Sequence, residues 1–266
     1  MDKLIQYLKR FYIRLKYYRY GWKGNFSSWQ QAINLCGGYN KENILNKIKS
    51  TTLKVKSGEA VYERDGMLSD EIEYSWPLLT HMLQVAVQNN NQLSLIDFGG
   101  SLGTSYFQNR HYLNHLKEIK WSVVEQDAFV SVGKNEIAEG PLSFFYTIED
   151  AIKENGLHQI LLLSCVLPYL EKPFEFLALI TKKKIPYIII ENTYFNPVAG
   201  NRLTIQKVPP VYYEASYPAW FLDYDQVINT LQPAYDVVAQ YNNEQILYLD
   251  GQLLYYRGLV MKLKDS

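Results

Sequence analysis

The stretch Leu95-Ile96-Asp97-Phe98-Gly99-Gly100-Ser101-Leu102-Gly103 constrains this chain more than any other. The apolar residues Leu93, Leu95 and Ile96 read as a buried strand of a parallel sheet. A carboxylate, Asp97, stands at its end. Gly99, Gly100 and Gly103 permit a tight turn and close approach of a ligand to the backbone. Tyr106 and Phe107 follow in helix-compatible sequence, with Thr104 or Ser105 near the helix start. A strand that turns through glycines into a helix N-terminus is the nucleotide-cradling element of doubly wound folds. A turn with no ligand is the plain structural alternative. The spacing is not that of the G-x-G-x-x-G fingerprint.

Further apolar runs repeat the strand signal. They are Trp121-Ser122-Val123-Val124-Glu125, Leu142-Ser143-Phe144-Phe145-Tyr146, Gln159-Ile160-Leu161-Leu162-Leu163-Ser164 and Pro186-Tyr187-Ile188-Ile189-Ile190-Glu191. They alternate with helical stretches, which predicts a doubly wound α/β sheet with helices on both faces. Ligands of such sheets bind at the carboxyl ends of the strands. Asp97, Glu125, Ser164 and Glu191 all fall there. A strand-end acid suits a ligand with a cationic amino group and repels a pyrophosphate. Glu125 at the second strand end is placed to accept both hydroxyls of a ribose. A helix over 225–231, a strand over 237–241 and a hairpin ending in 253–263 complete the sheet.

Asp97-x-Gly99-Gly100-Ser101-x-Gly103 resembles the first motif of class I S-adenosylmethionine-dependent methyltransferases, with Ser101 in place of the middle glycine. More of the chain looks like a poorly characterised bacterial methyltransferase family often met in surface-polysaccharide gene clusters. The carrying residues are Trp22, Trp29 and Gly38-Tyr39; Tyr62-Glu63-Arg64-Asp65; the glycine motif; Val123-Val124-Glu125-Gln126; Ser164 to Leu170; and Ala215-Ser216-Tyr217-Pro218-Ala219-Trp220. Glu191-Asn192-Thr193 stands where that family has Asp-Arg-Thr. The resemblance implies a Rossmann-like seven-stranded sheet of order 3-2-1-4-5-7-6 over residues 89–266. An N-terminal helical extension and lid over residues 1–88 precedes it. It also implies S-adenosylmethionine as cofactor, held by Asp97, Gly99, Gly100, Ser101, Gly103, Glu125, Gln126 and Ser164. The expected activity is methyl transfer to a small polar acceptor, a sugar or activated sugar of surface-polysaccharide biosynthesis. A nucleotide-dependent oxidoreductase and a catalytically degenerate Rossmann-like scaffold are the alternatives.

A hydroxyl acceptor needs a general base. Glu191, Asp65 and His81 are the candidates. His81 lies on a helix expected over 76–87, where a histidine is more often structural. Residues 192–224 form a long irregular insert, and long inserts in compact domains are usually functional. The insert carries Tyr194, Arg202 and Tyr217, and with Arg64 these are the candidate substrate residues. A charged surface cluster around Arg64 and a rigid aromatic cover over the core are the structural alternatives.

Formal net charge is zero, which gives no basic field for nucleic acid. Cys36 and Cys165 make neither a disulfide framework nor a zinc spacing, so no metal is expected and a reducing compartment is. Residues 1–24 carry Lys3, Lys9, Arg10, Arg14, Lys16, Arg19 and Lys23 against Asp2 alone. With Leu4, Leu8, Phe11, Leu15 and Tyr18 at helical steps they predict an amphipathic helix. That helix packs on protein, in a homodimer for instance, or lies on an anionic membrane. The expected location is cytoplasmic, including the inner face of the membrane.

Overall fold

A computed structural model describes residues 19–37 and 41–265. Its centre is a seven-stranded sheet. The strands are β4 (Gln92–Phe98), β5 (Glu118–Val124), β6 (Leu142–Phe145), β7 (Ile160–Ser164), β8 (Tyr187–Thr193), β11 (Tyr235–Leu249) and β12 (Gln252–Leu263). Their order is β11-β12-β8-β7-β4-β5-β6. Counting these strands alone in chain order, that is the expected 3-2-1-4-5-7-6. Strands β6, β5, β4, β7 and β8 run parallel, and β12 and β11 close the sheet antiparallel.

Alternation along β4 sorts its side chains onto two cores. Leu93 and Leu95 face one core with Leu79, Met82, Phe107 and Trp121. Ile96 faces the other with Leu161, Leu163, Leu177 and Leu231. Helices therefore cover both faces. Helices α2 (Lys41–Ser57), α3 (Trp76–Gln88) and α4 (Thr104–Leu113) lie on the first, and α6 (Ile148–Asn155), α7 (Pro173–Thr181) and α8 (Tyr224–Leu231) on the second. The shorter helix α5 (Asp127–Val132) adds Phe129 and Val130 to the first, and α1 (Trp29–Asn34) precedes α2. Two starts follow capping rules: Ser75 caps α3, with Pro77 just inside, and Thr147 caps α6.

The N-terminal region and the insert depart from the sequence expectation. Residues 1–18, most of the expected basic helix, lie outside the described residues, as does Gly38-Tyr39. From Gly21 to Phe26 the chain is a strand, β1, not helix. The insert, read as irregular, contains β9 (Arg202–Lys207) and β10 (Ser216–Phe221). Strand β1 pairs with β9, and β9 with β10, in a three-stranded antiparallel sheet. Its apolar face packs Trp22, Ala219 and Phe221 against Tyr194 and against Leu247 and Leu249 of β11. Long-range pairing supplies the order that local propensity could not. Among the described residues no helix is long and apolar enough to cross a membrane.

Candidate functional site

Asp97, one residue before the end of β4, is fully buried. Its Oδ2 accepts a hydrogen bond from the Trp121 indole at 3.1 Å, and its Oδ1 has no partner. Burial pushes the carboxyl up to about 7, against the pull of the indole N–H. Gly100 lies directly over it. A Cβ there would stand 2.5 Å from the Asp97 carboxyl carbon, so only glycine fits. A Cβ on Gly99 would meet Val166 at 2.5 Å, and Gly99 is also left-handed (φ 74°). Gly103 (φ 90°) precedes α4, and its carbonyl accepts the Phe107 amide at 3.0 Å.

Glu125 follows β5, partly accessible. Its carboxylate accepts the Gln126 amide at 2.6 Å and the backbone amide of Ser101. Two adjacent strand ends are thereby tied together across the glycine turn. Burial raises the Glu125 carboxyl against those two amides. A carboxylate has about four acceptor sites, so two remain for a ligand. Ser164 ends β7 beside Glu191. The predicted ligand-holding residues Asp97, Gly99, Gly100, Ser101, Glu125 and Ser164 thus line one carboxyl edge. Gln126 is exposed at the start of α5.

Across the edge, Glu191 is buried in a bulge of β8. Glu191 and Asn192 stand opposite the single residue Gly258, between the pairs Ile190–Leu259 and Thr193–Arg257. The Glu191 carboxylate accepts hydrogen bonds from the Tyr241 hydroxyl, the Asn243 amide and the Ser75 side chain. The Tyr241 ring reaches it by crossing Gly258, where a Cβ would lie 2.1 Å from the ring. Burial raises the Glu191 carboxyl despite these donors and the nearby Arg64. Tyr241, Asn243, Ser75 and Trp121 were not singled out in the sequence. The Asn242-Asn243 pair inside a strand was the available signal, since asparagine is depleted there.

The hairpin of β2 (Tyr62–Arg64) and β3 (Met67–Ser69) stands over this edge. Buried Glu63 anchors it. The Thr104 hydroxyl, at the start of α4, donates to Glu63, as do Thr51 Oγ1 and the Gly66 amide, each at 3.3 Å. The α4 N-terminus favours that carboxylate. Asp65 is exposed at the turn with φ 51°. Arg64 is set toward Cys165 and Tyr256.

The remaining candidates divide. Tyr217 packs edge-on to Tyr169, ring centroids 5.4 Å apart, and Tyr169 donates to Gln206 at 2.8 Å. Tyr194 is fully buried, and its hydroxyl accepts the Trp22 indole at 2.9 Å, which makes it part of the aromatic cover. Arg202 is engaged twice, donating to the Gly24 carbonyl at 2.9 Å and pairing through two nitrogens with Asp250. It stands opposite Phe221 and Tyr217 opposite Gln206, about 13 Å apart along β9 at strand rise. The structure therefore does not bring Arg202 and Tyr217 together. His81 lies six residues past Ser75 on α3, about 9 Å along the helix, and burial lowers its pKa. Among the described residues no cluster of histidine, cysteine and acidic side chains is suited to a metal.

No protein-family model matches the chain, and no curated protein matches it. Solved structures do. One is the glycopeptide N-methyltransferase MtfA complexed with S-adenosyl-L-methionine: 11% identity, 70% of this chain and 94% of that one, TM-score 0.48. A second is an S-adenosylmethionine-dependent methyltransferase from Clostridium acetobutylicum: 10% identity, 83% and 99%, TM-score 0.45. A third is the N-terminal domain of EvdMO1 in the presence of SAH and D-fucose: 10% identity, 85% and 98%, TM-score 0.45. At such identities the fold assignment rests on the strand order itself.

Proposed function

We propose that this protein is an S-adenosylmethionine-dependent methyltransferase acting on a small polar acceptor of sugar size. One observation carries the reading. Two acids at adjacent strand ends are joined through a glycine turn, and the deeper one, Asp97, keeps a buried oxygen unpaired under Gly100. Buried acceptors are nearly always satisfied, so an orphan at a strand end points to a ligand donor. S-adenosylmethionine supplies an electrophilic methyl on a sulfonium and carries an ammonium and a ribose diol. Asp97 fits the ammonium, Glu125 the diol, and the backbone around Gly99–Ser101 with Ser164 the chain between. A pyrophosphate would meet repulsion from the same acids.

Methyl transfer is an in-line displacement, so the chain's work is alignment and removal of the acceptor's proton. Glu191 and Asp65 stand at this edge and are the proposed proton acceptors. His81 stands apart from it. Tyr217, the hairpin residue Arg64 and the cover of β1, β9 and β10 form the proposed acceptor side.

Calorimetry with S-adenosylhomocysteine and, separately, NAD tests the reading. Losing hydrogen bonds to a charged group costs about 1.5–3 kcal/mol. Glu125→Ala is therefore expected to weaken S-adenosylhomocysteine binding about 10- to 150-fold, with the circular dichroism spectrum unchanged. Unchanged affinity in the folded variant, or tight binding of NAD alone, overturns it.

A further inference from the structure

Arg64 is the side chain at this edge that the cofactor does not need. It ends β2, on a hairpin that the buried Glu63 fixes to the start of α4. Its guanidinium lies within electrostatic reach of Tyr62, Asp65, Cys165, Tyr256 and Glu191. These residues come from four separate parts of the chain: the hairpin, the end of β7, the end of β8, and β12. The guanidinium is sunk among them yet retains some accessible surface. Among the described residues Arg64 forms no ion pair. The carboxylates near it are committed or turned to water. Glu191 holds Tyr241 and Asn243, and Asp65 is exposed. Arg202, on the insert, already has its counter-ion in Asp250.

A charge taken out of water costs several kcal/mol unless it is paired. A guanidinium is always charged and presents a planar fork that matches a carboxylate or a phosphate through two parallel bonds. We propose that Arg64 docks an anionic group of the acceptor, so that the acceptor is an acidic or phosphorylated sugar and not a neutral one. The proposal rests on reading this edge as the methyl-transfer site. It names the substrate class of that site. The partly exposed aromatic side chains about Arg64, Tyr256 with Tyr217 beyond, supply flat apolar faces for a ring held by its anion.

The experiment is calorimetric titration of the full chain with glucuronate, glucose 1-phosphate, inorganic phosphate and glucose, with and without S-adenosylhomocysteine. Glucuronate and glucose 1-phosphate separate the carboxylate from the phosphate source, and inorganic phosphate reports whether the sugar ring contributes. One of the two anionic sugars is expected to bind about 10- to 150-fold more tightly than glucose, the range of a charge-assisted pair. Arg64→Gln brings it down to the glucose level, and Arg64→Lys falls between, keeping the charge without the fork. Arg64→Gln keeps S-adenosylhomocysteine affinity within about twofold, since sites that share no contacts behave independently; this also shows that the variant is folded. Equal binding of glucose and the anions, binding of no anionic sugar, or full anion affinity in Arg64→Gln overturns the proposal. Failure of the parent reading looks different: S-adenosylhomocysteine does not bind, while Arg64-dependent anion binding persists without it.

Discussion

Replacing Asp97 by asparagine separates what this residue does for the fold from what it does for a ligand. The wild-type carboxyl titrates at about 7 in the folded protein, raised from 3.8 by burial. Folding therefore takes up a proton between those values. Stability contributed by this group is present below about pH 4 and is lost as pH rises toward 7. Three units at 1.36 kcal/mol each give about 4 kcal/mol lost over that window. Asparagine has no such titration. Its oxygen can still accept the Trp121 indole, while its NH2 faces the position of the unpaired Oδ1, at a roughly constant cost of about 1–3 kcal/mol. Buried His158, held neutral down to about 4, moves stability the other way, losing it as pH falls below 6.5. The quantity to read is thus the difference between the two proteins. Urea denaturation at several pH values is expected to show Asp97→Asn gaining about 4 kcal/mol on wild type between pH 4 and 8. Parallel curves would refute the burial argument. The ligand side has its own signature. At pH 6 the carboxyl is about 90% protonated, so docking an ammonium on it expels close to one proton per S-adenosylhomocysteine. Calorimetry in buffers of differing ionisation enthalpy measures that release, which should vanish above pH 8 and be absent in Asp97→Asn at any pH.

Two smaller perturbations follow from the same geometry. Gly100→Ala drives a methyl into the Asp97 carboxyl group; overpacking of this kind costs about 1–3 kcal/mol, and thermal denaturation with S-adenosylhomocysteine titration is expected to show both lost stability and lost binding. Trp22→Phe takes the indole donor from the buried Tyr194 hydroxyl, which keeps Tyr169 as a partner, at about 0.5–1.5 kcal/mol; urea denaturation should register it while S-adenosylhomocysteine affinity stays within about twofold, and a large affinity loss would place Trp22 in the site.

The sheet was legible because each central strand is a continuous apolar run, the sequence form of burial on both faces. Leu161 to Leu163 and Ile188 to Ile190 are fully buried. The strand-end acids were legible for the same reason, since a charge that terminates such a run falls at the sheet edge. What failed to show was pairing between distant segments. Gly21 to Gly24 reads as the tail of a basic helix, and only β9, far along the chain, makes Gly21–Phe26 a strand. Arg202 reads as a substrate residue, but its partner Asp250 lies in the turn between β11 and β12. Tyr241 and Asn243 reach Glu191 because a bulge and Gly258 open the way, and neither leaves a local periodicity.

The carboxyl edge also concentrates cost. Ser101, Cys165 and Asn192 adopt left-handed backbone at φ 54°, 52° and 49°, after or within the ends of β4, β7 and β8. Elsewhere Asn90, Asn91, Lys184 and Asp250 take that conformation in turns, where asparagine and aspartate tolerate it. Serine and cysteine gain no such relief, so their strain is imposed by the surroundings. In two of them the strain places a backbone amide at the edge. Ser101 turns its amide onto Glu125, and Cys165 donates its amide to the Glu191 carbonyl at 2.9 Å. Unpaired oxygens on Asp97, Asn192 and Asn243 lie beside them. Strain and orphaned acceptors lower the stability of the unliganded chain. A ligand that pairs them recovers part of that free energy on binding, which preorganises the edge for a donor-rich, cationic molecule and disfavours an anion at Asp97.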